Sequence, residues 1–275
     1  MTNNAAPQRL PRDVQTAMDN LQWSLEQNPV MQYKSVAEMG QQRSSTTTTG
    51  TTSDSSILQL VDNIEGTIQS LTQKATLASK ETKYLAQIAT ALLLLGNGYL
   101  DEAHNLVLGL SWRGDLPYAY GPSVNLEDET IQTFACYAHC LVHRMEGPHD
   151  SEFNMTGFQN SNFWAGNAMR NLEGMEHMPL EQIKQGISEL VDSEDAQHFV
   201  EKKVSGIFGD WDPRLLTELC QEVVQRNREA EEGETHPMKE FAERAALLEL
   251  RIILVSIFLM MGFDLSPPAA LSDEE

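Results

Sequence analysis

His139 and His143 stand four residues apart in the segment YAHCLVHRMEG. On a helix that spacing puts both imidazoles on one face, one turn apart, where they can hold a single metal ion. A divalent transition metal suits such a pair, zinc above all, and a catalytic zinc site keeps one coordination position open. His104, from an earlier helix, and Glu146, one turn beyond His143, are the candidates to complete the shell. The helical metalloprotease pattern needs a glutamate directly after its first histidine. Cys140 occupies that position here, so the segment does not describe a peptidase of that type.

The chemistry expected of such a site is water activation beside a Lewis acid. Glu152 is the candidate base, and Arg144 and Arg113 are candidates to orient an anionic substrate through their forked donors. Arg144 is equally suited to a structural pairing with Glu146, Asp150 or Glu152. Tyr118, Tyr120, Asn160 and Trp164 are the residues expected to shape a substrate pocket. A metal-free variant would use His139 or His143 as general base with a carboxylate to orient it. Cys136 and Cys140 lie mid-helix among apolar residues, a setting that favours buried, inert thiols.

These groups need a scaffold, and the apolar periodicity supplies one made of helices. Asn125 or Asp128 can cap a helix whose stripe runs through Ile131, Phe134, Ala138, Leu141 and Met145 and stops at Gly147-Pro148. His104 belongs to a helix opened by Asp101, with Ala103, Val107 and Leu110 inward. If that helix packs on the central one, three imidazoles converge. Further helices are expected after Pro11 (Val14, Met18, Leu21, Leu25), after Asp54 or Ser55 (Ile57 to Leu71), over 79–95, after Pro179, after Ser193 and after Asp212. The segment from Gly147 to Gly174, rich in Asn, Gly and Ser, is expected to be a packed connection held by turns. The stretch ALLLLGNGYLDEAHNLV resembles one tetratricopeptide hairpin, which would imply a pair of antiparallel helices. It has no second copy at the roughly 34-residue period of that repeat.

The last helix, about 240–261, carries the run IILVSIFLMM. A membrane crossing needs roughly 20 apolar residues, so the run is expected in the core or at a homodimer face. Nineteen Lys and Arg against 40 Asp and Glu give a net charge of −21, which argues against a nucleic-acid surface or an anionic membrane. Three cysteines make no disulfide framework, and the first residues lack the apolar core of a signal peptide, so a cytoplasmic protein is expected. No glycine-rich nucleotide signature is present.

The expected fold is an all-α bundle of roughly eight helices. Residues 1–56 would form an N-terminal helix and a Ser/Thr-rich linker, residues 57–265 one helical domain, and residues 266–275 a disordered acidic tail. Three functions fit: a metal-dependent enzyme acting on a small polar or anionic substrate, a helical scaffold in which the His/Arg/Glu cluster fixes packing, or a non-catalytic binder of small anions.

Overall fold

The computed structural model describes residues 8–26, 55–76, 81–112, 126, 128–149, 156–171, 174, 176–204, 211–230 and 235–265. Among them the chain forms an all-α bundle. Eleven α-helices follow one another: α1 (Arg12–Asp19), α2 (Ser55–Asp62), α3 (Ile64–Lys74), α4 (Thr82–Gly96), α5 (Leu100–Ser111), α6 (Glu129–Glu146), α7 (Thr156–Met169), α8 (Leu180–Glu189), α9 (Glu194–Phe199), α10 (Pro213–Glu229) and α11 (Lys239–Met260). A π turn, Val200–Val204, continues α9. Two residues at each end of the described chain, Gln8–Arg9 and Phe263–Asp264, pair as a short parallel ladder.

The centre of the bundle is α6. Every residue from Ile131 to Glu146 is buried. Its N-terminus is held by Asp128, whose carboxylate accepts from the amides of Thr130 and Ile131 at 2.8 and 3.2 Å. Helices α4, α5 and α7 pack around it, with α10 on α7 and α11 on α4 and α10. The turn between α4 and α5 needs Gly98, whose φ of 87° lies in the left-handed region open to glycine. It folds α5 back so that His104 and Ser111 both meet α6.

Several local expectations are corrected by the fold. α1 ends at Asp19, and Leu21, Trp23 and Leu25 are buried on irregular chain instead of a continued helix. The 55–74 stripe is split at Asn63, whose side chain caps α3 by accepting from the Gly66 amide. α5 starts one residue before Asp101, behind Tyr99, with no side-chain cap. The largest correction is α7, which occupies the middle of the expected 147–174 connection. Asn, Gly and Ser are poor helix formers, yet Phe158, Ser161, Ala165 and Ala168 fall at helical spacing and are all buried. Tertiary packing overrides propensity there. The close approach of α7 to α6 depends on Gly157, where a Cβ would lie 2.7 Å from the Gly147 nitrogen and 2.9 Å from the His143 carbonyl oxygen.

The apolar run of α11 is used by the core. Ile253, Leu254, Ile257 and Phe258 are fully buried, while Leu259 is exposed. No helix among the described residues is long and apolar enough to cross a membrane.

One carboxylate sits inside this apolar helix. Glu249 is fully buried and ion-pairs with Arg144 of α6, which is itself fully buried. Tyr137 donates to Glu249 Oε1 at 2.5 Å and the Trp211 indole donates at 3.1 Å. Burial, and then the adjacent Glu249 charge, hold the Tyr137 phenol well above its usual pKa, so it remains a donor. Arg144 spends its other donors on Thr217 Oγ1 at 3.0 Å and the Pro213 carbonyl at 2.9 Å. The network ties α6 to α10 and α11. A buried ion pair is expensive to break singly, because the survivor is left charged in the core. Glu249→Ala is therefore expected to lower unfolding free energy by about 3–5 kcal/mol, read from urea midpoints. The pair substitution Arg144→Met with Glu249→Leu should recover most of that loss.

Candidate metal centre

His139 and His143 lie on the face of α6 that meets α5, and His104 projects from the second turn of α5 toward them. The ring centroids are 4.9 Å apart for His104 and His139, 5.2 Å for His104 and His143, and 4.7 Å for His139 and His143. One nitrogen from each ring falls within 4.8 Å of the others. All three residues are 5% exposed or less. The convergence expected from spacing is thus present, and it defines a buried three-histidine cluster able to coordinate a metal ion.

The outward nitrogens of two rings are already taken. Ser111, at the last residue of α5, meets His139 Nδ1 at 2.7 Å and Leu108 O at 3.2 Å. With its proton on the Leu108 carbonyl, the hydroxyl accepts from Nδ1–H, which leaves His139 Nε2 as a bare lone pair. That atom is buried and has no hydrogen-bond partner, as is His104 Nδ1. Glu146 engages His143 Nδ1 in a short hydrogen bond, both side chains being buried. Metal-bound histidines are commonly held this way, their second nitrogen donating to a carboxylate or another oxygen that fixes tautomer and orientation. Glu146 thus sits behind His143, as the partner of its Nδ1.

Burial, and then the neighbouring His143, push His104 down to about 3. His139 is driven well below its ordinary value by burial, then by His143 and His104. Both are neutral near pH 7 and offer lone pairs, which is the protonation state a metal requires.

Trp164 of α7 stacks on the His139 ring with centroids 4.1 Å apart. Ser111 and Trp164 also form one wall of a cleft of about 570 Å³ running between α5, α6 and α7. The cleft and the His139 ring therefore share a boundary one side chain thick. Trp112, Gln132, Phe163 and Arg170 line the same cleft.

The remaining candidates divide into two groups. Asn160 is half-buried on α7, and Arg144 is turned away from the imidazoles into the Glu249 network. Arg113, Tyr118, Tyr120 and Glu152 lie outside the described residues. Cys136, Cys140 and Cys220 are free and buried. Burial raises the Cys140 thiol despite the opposing pull of Arg144, and Cys220 is pushed up to about 12, so neither supplies a ready nucleophile. Ser111, Gln132 and Arg170 were not marked by the sequence; only the helical register of Ser111, one turn past Val107, hinted at its proximity.

The chain matches no protein-family model, no curated protein and no solved structure.

The lowered histidines set a pH dependence for the metal-free chain. An unfolded imidazole takes up a proton below about pH 6.5, whereas folded His104 does so only near pH 3. Between these values the unfolded state binds more protons, so stability falls as pH falls. The stabilisation is complete above pH 6.5. At pH 5 His104 alone should cost on the order of 2 kcal/mol relative to pH 7, measured by urea unfolding with chelator present. His104→Gln should flatten that part of the profile.

Proposed function

We propose that the chain is a metal-dependent enzyme acting on a small polar or anionic substrate, with a divalent transition metal, zinc in the first instance, held by His104, His139 and His143. One observation carries the proposal: three imidazoles converge, His104 Nδ1 and His139 Nε2 are buried without a hydrogen-bond partner, and Ser111 and Glu146 hold His139 and His143 through their Nδ1 atoms. A core whose histidines served only packing would satisfy those nitrogens from protein groups.

The number of ligands supports catalysis over a purely structural ion. Structural zinc sites close with four protein ligands, and catalytic ones use three and keep a position open. Among the described residues the cluster has three members and no fourth His, Cys, Asp or Glu. An ion so held would supply Lewis acidity and would lower the pKa of water toward neutrality. Ser111 and Glu146 keep the rings in the ligating tautomer, and Trp164 covers the His139 face and excludes bulk water. Substrate approaches from the cleft past Ser111 and Trp164. Glu152 remains the candidate base, and Arg113, Tyr118, Tyr120 and Asn160 the candidate substrate contacts. Arg144 is left to the packing network, where its donors are already engaged.

A second reading rests on depth. His139 is 1% exposed and His143 3%, so the ion could serve as a staple between α5 and α6. Cobalt separates the two. An open coordination position lets azide alter the visible spectrum of the cobalt-loaded chain, and a closed site does not.

Purified chain stripped of metal is expected to take up one equivalent of zinc, by calorimetry and elemental analysis. His139→Ala should abolish uptake. Glu146→Gln, which keeps shape but weakens the hold on His143, should lower zinc affinity roughly 10- to 100-fold. Uptake below about 0.1 equivalent in the unaltered chain would overturn the proposal.

A further inference from the structure

The cleft beside the imidazoles has a chemistry of its own. Trp112 and Trp164 meet edge to face with centroids 5.5 Å apart, and Phe163 abuts Trp164 at 5.1 Å. Phe163 is one of two large hydrophobic residues exposed among those described, at 53%. An exposed phenyl beside two indoles is a ready face for a flat ring, because aromatic pairs gain from edge and offset geometries beyond their buried area.

Phe163 and Asn167 of α7, and Arg170 in the turn just past its end, follow one another at steps of four and three residues and line this cleft. Arg170 has no carboxylate partner among the described residues. Its one hydrogen bond among the described residues is a 3.5 Å approach of Nη1 to Asn167 Oδ1. On the cleft wall that guanidinium is suited to take an anionic ligand. Side chains on a helix lean toward its N-terminus. The contact with Asn167 shows Arg170 leaning that way, toward Phe163, which lies four residues, about one helical turn, before Asn167. Glu129 lines the same cleft and opposes a second negative charge on any occupant.

We infer that this cleft binds a monoanionic aromatic acid, its ring against Phe163, Trp164 and Trp112 and its carboxylate on Arg170, separated from the ring by a short spacer. The inference builds on the metal-enzyme reading and names its substrate class: the group to be attacked would lie on the Ser111 side, next to His139. An Arg–carboxylate pair at the rim is solvent-screened, so selectivity rests on ring and charge together.

Phenylpropionate is the probe, with phenylpropanol and cyclohexylpropionate as controls lacking the charge and the aromatic ring. Calorimetric titration of the full chain, with and without zinc, should show the aromatic acid binding at least about tenfold more tightly than either control. Arg170→Gln should erase the preference for acid over alcohol. Phe163→Ala should erase the preference for the aromatic over the saturated ring. Both side chains are exposed, so neither change threatens folding. Equal binding of all three probes, no binding of the acid, or an unchanged preference in Arg170→Gln would overturn the inference. Zinc uptake measured on the same samples keeps the two ideas apart. Zinc bound with no acid selectivity sinks this inference alone. Acid selectivity without zinc uptake leaves the aromatic-acid site and sinks the metal reading.

Discussion

Putting three imidazoles together inside an apolar bundle favours the neutral form of His104 and His139. A charged ring there would face both the loss of water and the repulsion of its neighbours, which is why His104 and His139 are lowered. Neutrality leaves a lone pair on both rings. The bundle offers those lone pairs no donor: His139 Nε2 and His104 Nδ1 are buried without partners. An unsatisfied buried polar atom costs about 1–3 kcal/mol, so a fold that keeps two side by side is less stable than it need be. A cation in the gap would remove that cost.

The imidazoles are aimed by contacts on the opposite side of the same helix. Successive residues on α6 turn by about 100°, so Arg144 and Tyr137 face away from His139. Their bonds to Glu249, Thr217 and Pro213 fix the rotation of α6 about its axis. The height of α7 is set separately by the contact of Gly157 with Gly147 and the His143 carbonyl. Two turns along, that alignment lays Trp164 over His139. Site geometry therefore depends on a packed ion pair and a glycine contact, neither of which touches the imidazole rings.

How legible this was in the sequence follows the range of each interaction. Local periodicity announced the helices, and the four-residue step of His139 and His143 announced a shared face. His104 could be joined to them because α5 and α6 are consecutive helices, which tend to be neighbours. Glu249 could not be found, since one carboxylate in ALLELRIIL carries no pattern and its partner Arg144 is 105 residues away. The expected partners of Arg144 were the nearby acids instead. α7 was hidden for a different reason. Its Asn, Gly and Ser content reads as turn, and the small residues that permit close packing on α6 are the ones that weaken a helical signal. Glu146 was legible as a member of the group, and its position behind His143 depended on side-chain direction that spacing does not give.

Helix α6 carries an internal comparison between two kinds of buried polar cluster. Around Arg144 the protein meets its own needs: guanidinium, carboxylate, phenol, indole and hydroxyl are joined, as a network that serves packing should be. Around His139 the protein engages the Nδ1 atoms of His139 and His143 and leaves His139 Nε2 and His104 Nδ1 bare. Both clusters lie on one helix, at the same depth and under the same apolar shell. Lack of room or of suitable residues does not explain the contrast, since Ser111 and Glu146 are within reach and are placed behind the rings. The simplest physical account is that the inward lone pairs are kept for something the chain does not itself supply. A metal ion bound by neutral imidazoles has the charge, size and ligand preference to be that missing partner.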